Sequence, residues 1–258
     1  MDIGNERISF LHFIREEELK HAMNLIELPD DAGILEFGGG DGFLARRLSQ
    51  KGYKVIAVDI EPRYPQQYPV LKIGSPELPF EENSFDFIFS SNVLEHVTDL
   101  SATLSELKRV LKPNGSAIFT MPTPAWRVYS LLEIPIKLLG RYHITAPLYY
   151  LDTPLNNQSI ISASNPSIIP FIQRIQRAIK YILTPHGKFP TALHEVFSYA
   201  PSVWQGKLSR NNLEVQRVVP LPILYANLLF PFRWMLLRTK LANRFLCSCL
   251  IYHVKPKR

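Results

Sequence analysis

The chain has 258 residues, 46% of them hydrophobic and 20% charged, with a formal net charge of +6 at pH 7. A chain of this length buries one good core or two small ones, and the composition is that of a globular protein on the apolar side. The basic balance permits an anionic partner without requiring one, and two cysteines are too few for a zinc set.

The chain reads as a single domain in four parts: an N-terminal helix in 1–30, a core in 31–122, a helical cap in 123–200, and a helix with a strand pair in 201–258. At the start, Asp2, Glu6 and Glu16 to Glu18 are acidic and no long apolar run follows, which argues against a signal peptide. Ile8, Leu11, Ile14, Leu19, Ala22, Leu25 and Ile26 form a broad apolar stripe that predicts a helix over 6–28.

Within 31–122, strands are expected at 33–37, 54–58, 69–73, 85–90 and 116–121. A helix over 100–111 is expected to stop at Pro113-Asn114-Gly115. Alternation of this kind implies an α/β fold with a mostly parallel, doubly wound sheet and right-handed crossovers.

The richest stretch is Ile34-Leu-Glu-Phe-Gly-Gly-Gly-Asp-Gly42. A strand, a glycine turn and a helix bring backbone N–H groups against a nucleotide-like ligand. Gly38, Gly40 and Gly42 have the spacing, but Phe43 stands where a dinucleotide fingerprint needs a small residue. Glu36 would repel a pyrophosphate and suits a cationic or hydroxylated ligand end. Asp59 ends the second strand, about 20 residues beyond the turn, where a carboxylate accepts ribose hydroxyls. A nucleoside without phosphates is implied, and S-adenosylmethionine fits.

Residues 34–42, Val55-Ile-Ala-Val-Asp59, the run from Leu78 to Val97 and Leu104 to Gly115 together resemble a class I S-adenosylmethionine-dependent methyltransferase. The resemblance spans roughly residues 30–122, and four motifs in order make it specific. It implies that Glu36 holds the methionine amino end, that Asp59 takes the ribose hydroxyls and that Ile60 packs on adenine. Ser90, Ser91 and Asn92 would line the methyl side. Family members often carry Asp near position 75; here Ser75 offers a weaker contact to the adenine amine. No metal ligand set is expected.

A general base is harder to place. His96, in Leu94-Glu95-His96-Val97, and His194, beside Phe197, Tyr199 and Trp204, are the catalytic candidates. Each is weighed against a packing role.

The cap and C-terminal part carry apolar stripes with basic residues. They lie at 126–141 (with Arg127, Lys137 and Arg141), at 166–183 (with Arg174, Arg177 and Lys180) and in an insertion at 222–243. Such stripes cover a core, form a dimer face or lie on an anionic membrane. A helix is expected over 202–212, then strands over 213–221 and 244–254, the latter placing Cys247 and Cys249 on one face.

The expected activity is methyl transfer to an oxygen, or to carbon or nitrogen, of a small or lipid-linked acceptor such as a glycan precursor or quinone-like molecule. An RNA methyltransferase and an inert binding protein on the same scaffold are the alternatives. RNA ranks low because the basic residues accompany apolar stripes. Free thiols point to the cytoplasm, with attachment to the inner face of a membrane as a further expectation.

Overall fold

The computed structural model describes residues 3–74, 77–139, 179, 183, 185, 187, 189–225, 239–240, 242 and 247–257. Seven strands form one sheet: β1 (Gly33–Phe37), β2 (Lys54–Asp59), β3 (Val70–Lys72), β4 (Phe85–Ser91), β5 (Leu111–Pro122), β6 (Leu213–Pro220) and β7 (Cys249–Pro256). Their spatial order is β3-β2-β1-β4-β5-β7-β6, with β1 to β5 parallel and β7 antiparallel to both neighbours. The helices are α1 (Ile3–Met23), α2 (Phe43–Ser49), α3 (Leu100–Val110), α4 (Pro124–Leu139), α5 (Ala192–Ser198) and α6 (Pro201–Arg210). This is the expected α/β architecture.

Strand alternation sorts side chains onto the two faces. Ile34, Phe87, Phe89, Ile118 and Ile251 pack against Ile14, Leu19 and Ala22 of α1 and Leu44 and Leu48 of α2. Leu35, Phe37, Ile88, Phe119 and Tyr252 pack on the opposite face with Leu104 and Leu107 of α3 and Trp204 and Leu208 of α6. Full burial of one such aliphatic side chain stabilises by roughly 1.5–3 kcal/mol. The same alternation puts Glu36 on the α1 face, in register with Ile34, and aims Ser91 at α1 while Ser90 turns to the α3 face.

Several expectations need correction. The first helix stops at Met23, so Leu25 and Ile26 lie beyond its end. Helix α3 ends at Val110, and Leu111 enters β5 directly in extended conformation, before the Pro-Asn-Gly breaker. Asp99 fixes the other end of α3 by accepting the Ala102 N–H at 2.9 Å. Strict strand–helix alternation fails between β2 and β3. Residues 60–69 hold Pro62, Pro65 and Pro69 and contain no helix, because proline removes N–H donors that a helix needs. The last strand starts at Cys249 rather than 244; residues 243–246 lie outside the described part. Consequently Cys247 and Cys249 do not share a face. Cys247 joins the α3-side core and Cys249 the α1-side core, both as buried free thiols.

Most of the basic apolar stripe at 166–183 and of the insertion at 222–243 lies outside the described residues, as does Ser75. Among the described residues no helix is long and apolar enough to cross a membrane.

Candidate active site

The glycine turn joins the carboxyl end of β1 to α2, at the point where the sheet order reverses between β1 and β4. Ligands bind at such a switch point in open α/β sheets. Backbone bonds tie the turn to β2: the N–H groups of Gly38 and Gly39 both donate to the Val58 carbonyl, at 2.8 and 2.9 Å. Gly38 has φ +85°, and a Cβ there would lie 2.2 Å from a Val93 methyl. Gly42 has φ +79°, and its Cβ would lie 2.4 Å from the Tyr68 carbonyl oxygen. Neither position accepts a side chain. Gly40 faces the Arg63 guanidinium, and its N–H donates to Asp59 Oδ2 at 2.8 Å. The other Asp59 oxygen accepts the Glu61 N–H at 2.8 Å. Asp59 thus sits against the turn, half-buried, and Ile60 beside it is 68% exposed.

Glu36 is buried, and the Ala45 N–H near the start of α2 donates to its carboxylate. Its Oε2, close to Gly39, has no hydrogen-bond partner. Burial pushes its pKa up to about 8, with Asp41 and Asp59 adding repulsion and the Ala45 N–H and Arg15 opposing it. Asp41, inside the glycine turn, has its pKa lowered because donors to its carboxylate outweigh its burial: Gln67 and the Phe43 N–H, with His12 paired to it at 2.9 Å. The His12 ring stacks on Phe43 with centroids 4.2 Å apart. Helix α1 is thereby fastened over the turn.

The end of β4 carries a second attachment of α1. Glu18, fully buried, pairs with Arg15 at 2.7 Å and accepts hydrogen bonds from Ser91 Oγ, Tyr225 OH and, at 2.8 Å, Asn92 Nδ2. Asn92 has φ +51° and gives its N–H to the Thr120 carbonyl. Ser90 is buried with its Oγ unpartnered.

Beyond Asn92 the chain makes a single 3-10 turn, Leu94–His96. Glu95 points inward from it, 3% exposed, with neither carboxylate oxygen hydrogen-bonded. His96 is partly exposed, and its Nε2 lies 3.9 Å from Glu95 Oε1. The cap closes on this turn. Arg127 of α4 and Glu195 of α5 are both buried and form an ion pair at 3.1 Å, close but not aligned as a hydrogen bond. Tyr199 OH donates to Glu195 Oε1 at 2.9 Å. His194 sits apart from this cluster. It is exposed at the start of α5, with its backbone N–H and Nδ1 on the Thr191 hydroxyl. Arg127, expected on a basic surface stripe, is instead 1% exposed.

The sequence reading passed over Arg15, Glu18, Glu95 and Glu195 as site residues. For Glu18 a signal existed: it stands four residues from both Ile14 and Ala22, on the apolar stripe.

A family model described as a methyltransferase domain matches residues 35–119. An uncharacterized methyltransferase of Mycobacterium sp. (strain KMS) is 33% identical over 99 residues, covering 36% of this chain and 39% of its own length. The ubiquinone/menaquinone biosynthesis C-methyltransferase of Hahella chejuensis is 30% identical over 129 residues, covering 41% of this chain and 52% of its own. The chain therefore spans only about two fifths to one half of these relatives. An S-adenosylmethionine-dependent methyltransferase structure from Listeria monocytogenes superposes with a TM-score of 0.53 over 96% of this chain and 98% of its own, at 15% identity, and shares the fold.

The residues fit S-adenosylmethionine. Glu36 Oε2 and Ser90 Oγ are buried polar atoms left over at the ends of β1 and β4, and Asp59 and Ile60 stand beside the glycine turn. Bound there, this cofactor would supply an activated methyl group on a sulfonium. Sheet order and strand register give the fold of the class I S-adenosylmethionine-dependent methyltransferases, and residues 35–119 within it are similar to a methyltransferase domain.

Proposed function

We propose that this protein transfers a methyl group from S-adenosylmethionine to an oxygen, or to carbon or nitrogen, of a small or lipid-linked acceptor, with a quinone-like molecule as the first class to try. The observation that carries this reading is the pair of unpartnered buried atoms, Glu36 Oε2 and Ser90 Oγ, at the two strand ends that flank the switch point. A buried polar atom without a partner costs about 1–3 kcal/mol and is retained where a ligand satisfies it. Methyl transfer needs mainly the alignment of two reactants, which a rigid strand end provides. Asp59 would hold the ribose and Glu36 the amino end. The quinone-like class is supported by the Hahella relative, named a ubiquinone/menaquinone biosynthesis C-methyltransferase, which speaks for the acceptor class and not for oxygen as the acceptor atom.

Calorimetry with S-adenosylmethionine and S-adenosylhomocysteine tests the cofactor. Wild type is expected to bind at micromolar levels. Asp59→Ala is expected to weaken binding roughly 10–100-fold, the loss of charge-assisted hydrogen bonds. Absence of binding by a folded wild type refutes the proposal.

The cytoplasmic face of an anionic membrane is the proposed location. The cap and its flanks carry exposed apolar side chains: Val128 and Leu132 of α4, Phe197 of α5 and Val203 of α6. Anionic vesicles at low salt are expected to retain the protein, and neutral vesicles are not. Failure to bind either kind refutes the location.

A further inference from the structure

Among the described residues, three carboxylates stand close together where the cap meets the end of β4: Glu18, Glu195 and Glu95. Arg15 pairs with Glu18, and Arg127 pairs with Glu195. Glu95 is a third carboxylate beside them, attracted by Arg15 and 3.9 Å from His96 Nε2, with no hydrogen bond to either oxygen. We propose that Glu95 is the proton acceptor for a hydroxyl group of the methyl acceptor. This rests on the methyltransferase reading above.

Position supports the role. Glu95 lies four residues past the end of β4, the strand whose Ser90, Ser91 and Asn92 line the methyl side by family likeness. The cap rests directly on its turn: a Cβ at Gly187 would come within 2.5 Å of the Glu95 carbonyl oxygen. The groups acting on the Glu95 carboxylate are Arg15 and Glu18 from α1, Glu195 from α5 and His96 on its own turn. Burial, the largest influence, raises its pKa to about 8, with Glu18 and Glu195 adding repulsion and Arg15 opposing it. A base that titrates near the working pH is the effective kind. The partly exposed His96, 3.9 Å away, offers the proton a route to solvent.

The transfer balances. The acceptor oxygen bonds to the methyl carbon, the electrons of the broken carbon–sulfur bond stay on sulfur, and the hydroxyl proton passes to the Glu95 carboxylate. The positive charge on sulfur and the negative charge on Glu95 disappear together.

The test uses the full chain with radiolabelled S-adenosylmethionine and a panel of catechol, a hydroxyquinol and a polyprenyl phenol, with amines as controls. Wild type is expected to methylate hydroxyl acceptors, at a rate that climbs through about pH 8. Glu95→Gln is expected to lose about 10²–10⁴-fold in rate and the climb with pH, while S-adenosylhomocysteine affinity stays within about twofold. Glu95→Asp, which keeps the carboxylate, is expected to recover part of the rate and the pH dependence. Infrared titration gives a readout free of turnover: protonated-carboxyl absorption titrating near pH 8 in wild type, to which Glu36 and Glu95 both contribute, is reduced in Glu95→Gln to the Glu36 share and is lost in Glu36→Gln/Glu95→Gln. The proposal is overturned if Glu95→Gln keeps rate and pH profile, if only amines are methylated, or if wild type that binds the cofactor methylates no hydroxyl in the panel. Failure of wild type to bind S-adenosylhomocysteine would instead sink the underlying methyltransferase reading.

Discussion

Glu18 of the first helix and Ser91 at the end of β4, 73 residues apart in sequence, share a buried hydrogen bond. Through Glu18 the same helix also holds Asn92 and Tyr225, and through His12 it holds the glycine turn at Asp41. Helix α1 is therefore pinned to both sides of the switch point. Glu18→Ala removes the carboxylate that the half-buried Arg15 pairs with and that Ser91, Asn92 and Tyr225 share as acceptor, and is expected to cost about 3–5 kcal/mol by urea denaturation. Glu18→Gln keeps one acceptor oxygen and is expected to cost less. Both are expected to weaken S-adenosylhomocysteine binding, because the helix that fixes Ser91 and Asn92 loosens. A Glu18→Ala variant as stable as wild type would show that the network is not an anchor.

Two glycines make opposite predictions. Gly42→Ala forces a left-handed residue to carry a Cβ 2.4 Å from the Tyr68 carbonyl oxygen, a backbone atom that cannot swing aside. The expected loss is at least about 2 kcal/mol. Gly206 lies inside α6, and a Cβ there would meet only the Arg210 side chain, at 3.7 Å. Gly206→Ala is expected to stabilise by about 0.5–1 kcal/mol, since alanine loses less conformational freedom in a helix. Thermal melts of the two variants moving in the same direction would contradict this reading of the turn.

These cases show what was legible in the sequence and why. Short apolar runs bounded by turns announced the strands, because β1, β4 and most of β5 are buried on both faces. The glycine turn and Asp59 were visible because backbone conformation and strand-end placement are local properties. The Glu18 network and the Arg127–Glu195 pair were not, because each joins residues far apart in the chain. A charged side chain on an amphipathic helix reads as solvated until its partner is known, and Arg127 was misread for that reason. The missing helix between β2 and β3 was written in Pro62, Pro65 and Pro69, but the expected alternation outweighed them.

Stability should fall as pH rises across the neutral range. Burial raises the pKa of Glu36 from its ordinary 4.5 to about 8 in the folded chain. Between those values the folded state keeps a proton that the unfolded state releases. The unfolded state therefore binds fewer protons, and stability declines with pH on the order of 1 kcal/mol per pH unit for one such group. The decline begins near pH 4.5 and levels off above about pH 8. Glu95 acts in the same window and the same direction. Asp41 and Asp86, whose pKa values are lowered, act with the opposite sign, stabilising above the usual carboxylate range and losing that contribution as pH falls below it. Glu36→Gln is expected to remove about half of the neutral-range slope and to weaken cofactor binding. Denaturation of wild type and variant between about pH 5 and pH 9 checks this, and equal slopes would refute it.

The Arg127–Glu195 pair anchors α4 to α5, and its worth differs from the cost of breaking it. Both side chains are out of water, so the attraction between them largely repays their lost hydration. Arg127→Met removes only one charge and takes this arginine from the buried Glu195, which holds the Tyr199 hydroxyl at 2.9 Å and the Gly187 N–H at 3.1 Å. A loss of about 3–5 kcal/mol is expected. In Arg127→Met/Glu195→Gln the amide oxygen still accepts from Tyr199 and Gly187, and both charges of the pair are gone. The double variant is expected to be more stable than Arg127→Met alone, with a coupling of about 1–3 kcal/mol in the mutant cycle. Additive losses would mean that the two side chains act independently, and that packing of α4 on α5, rather than this ion pair, holds the cap beside Glu95.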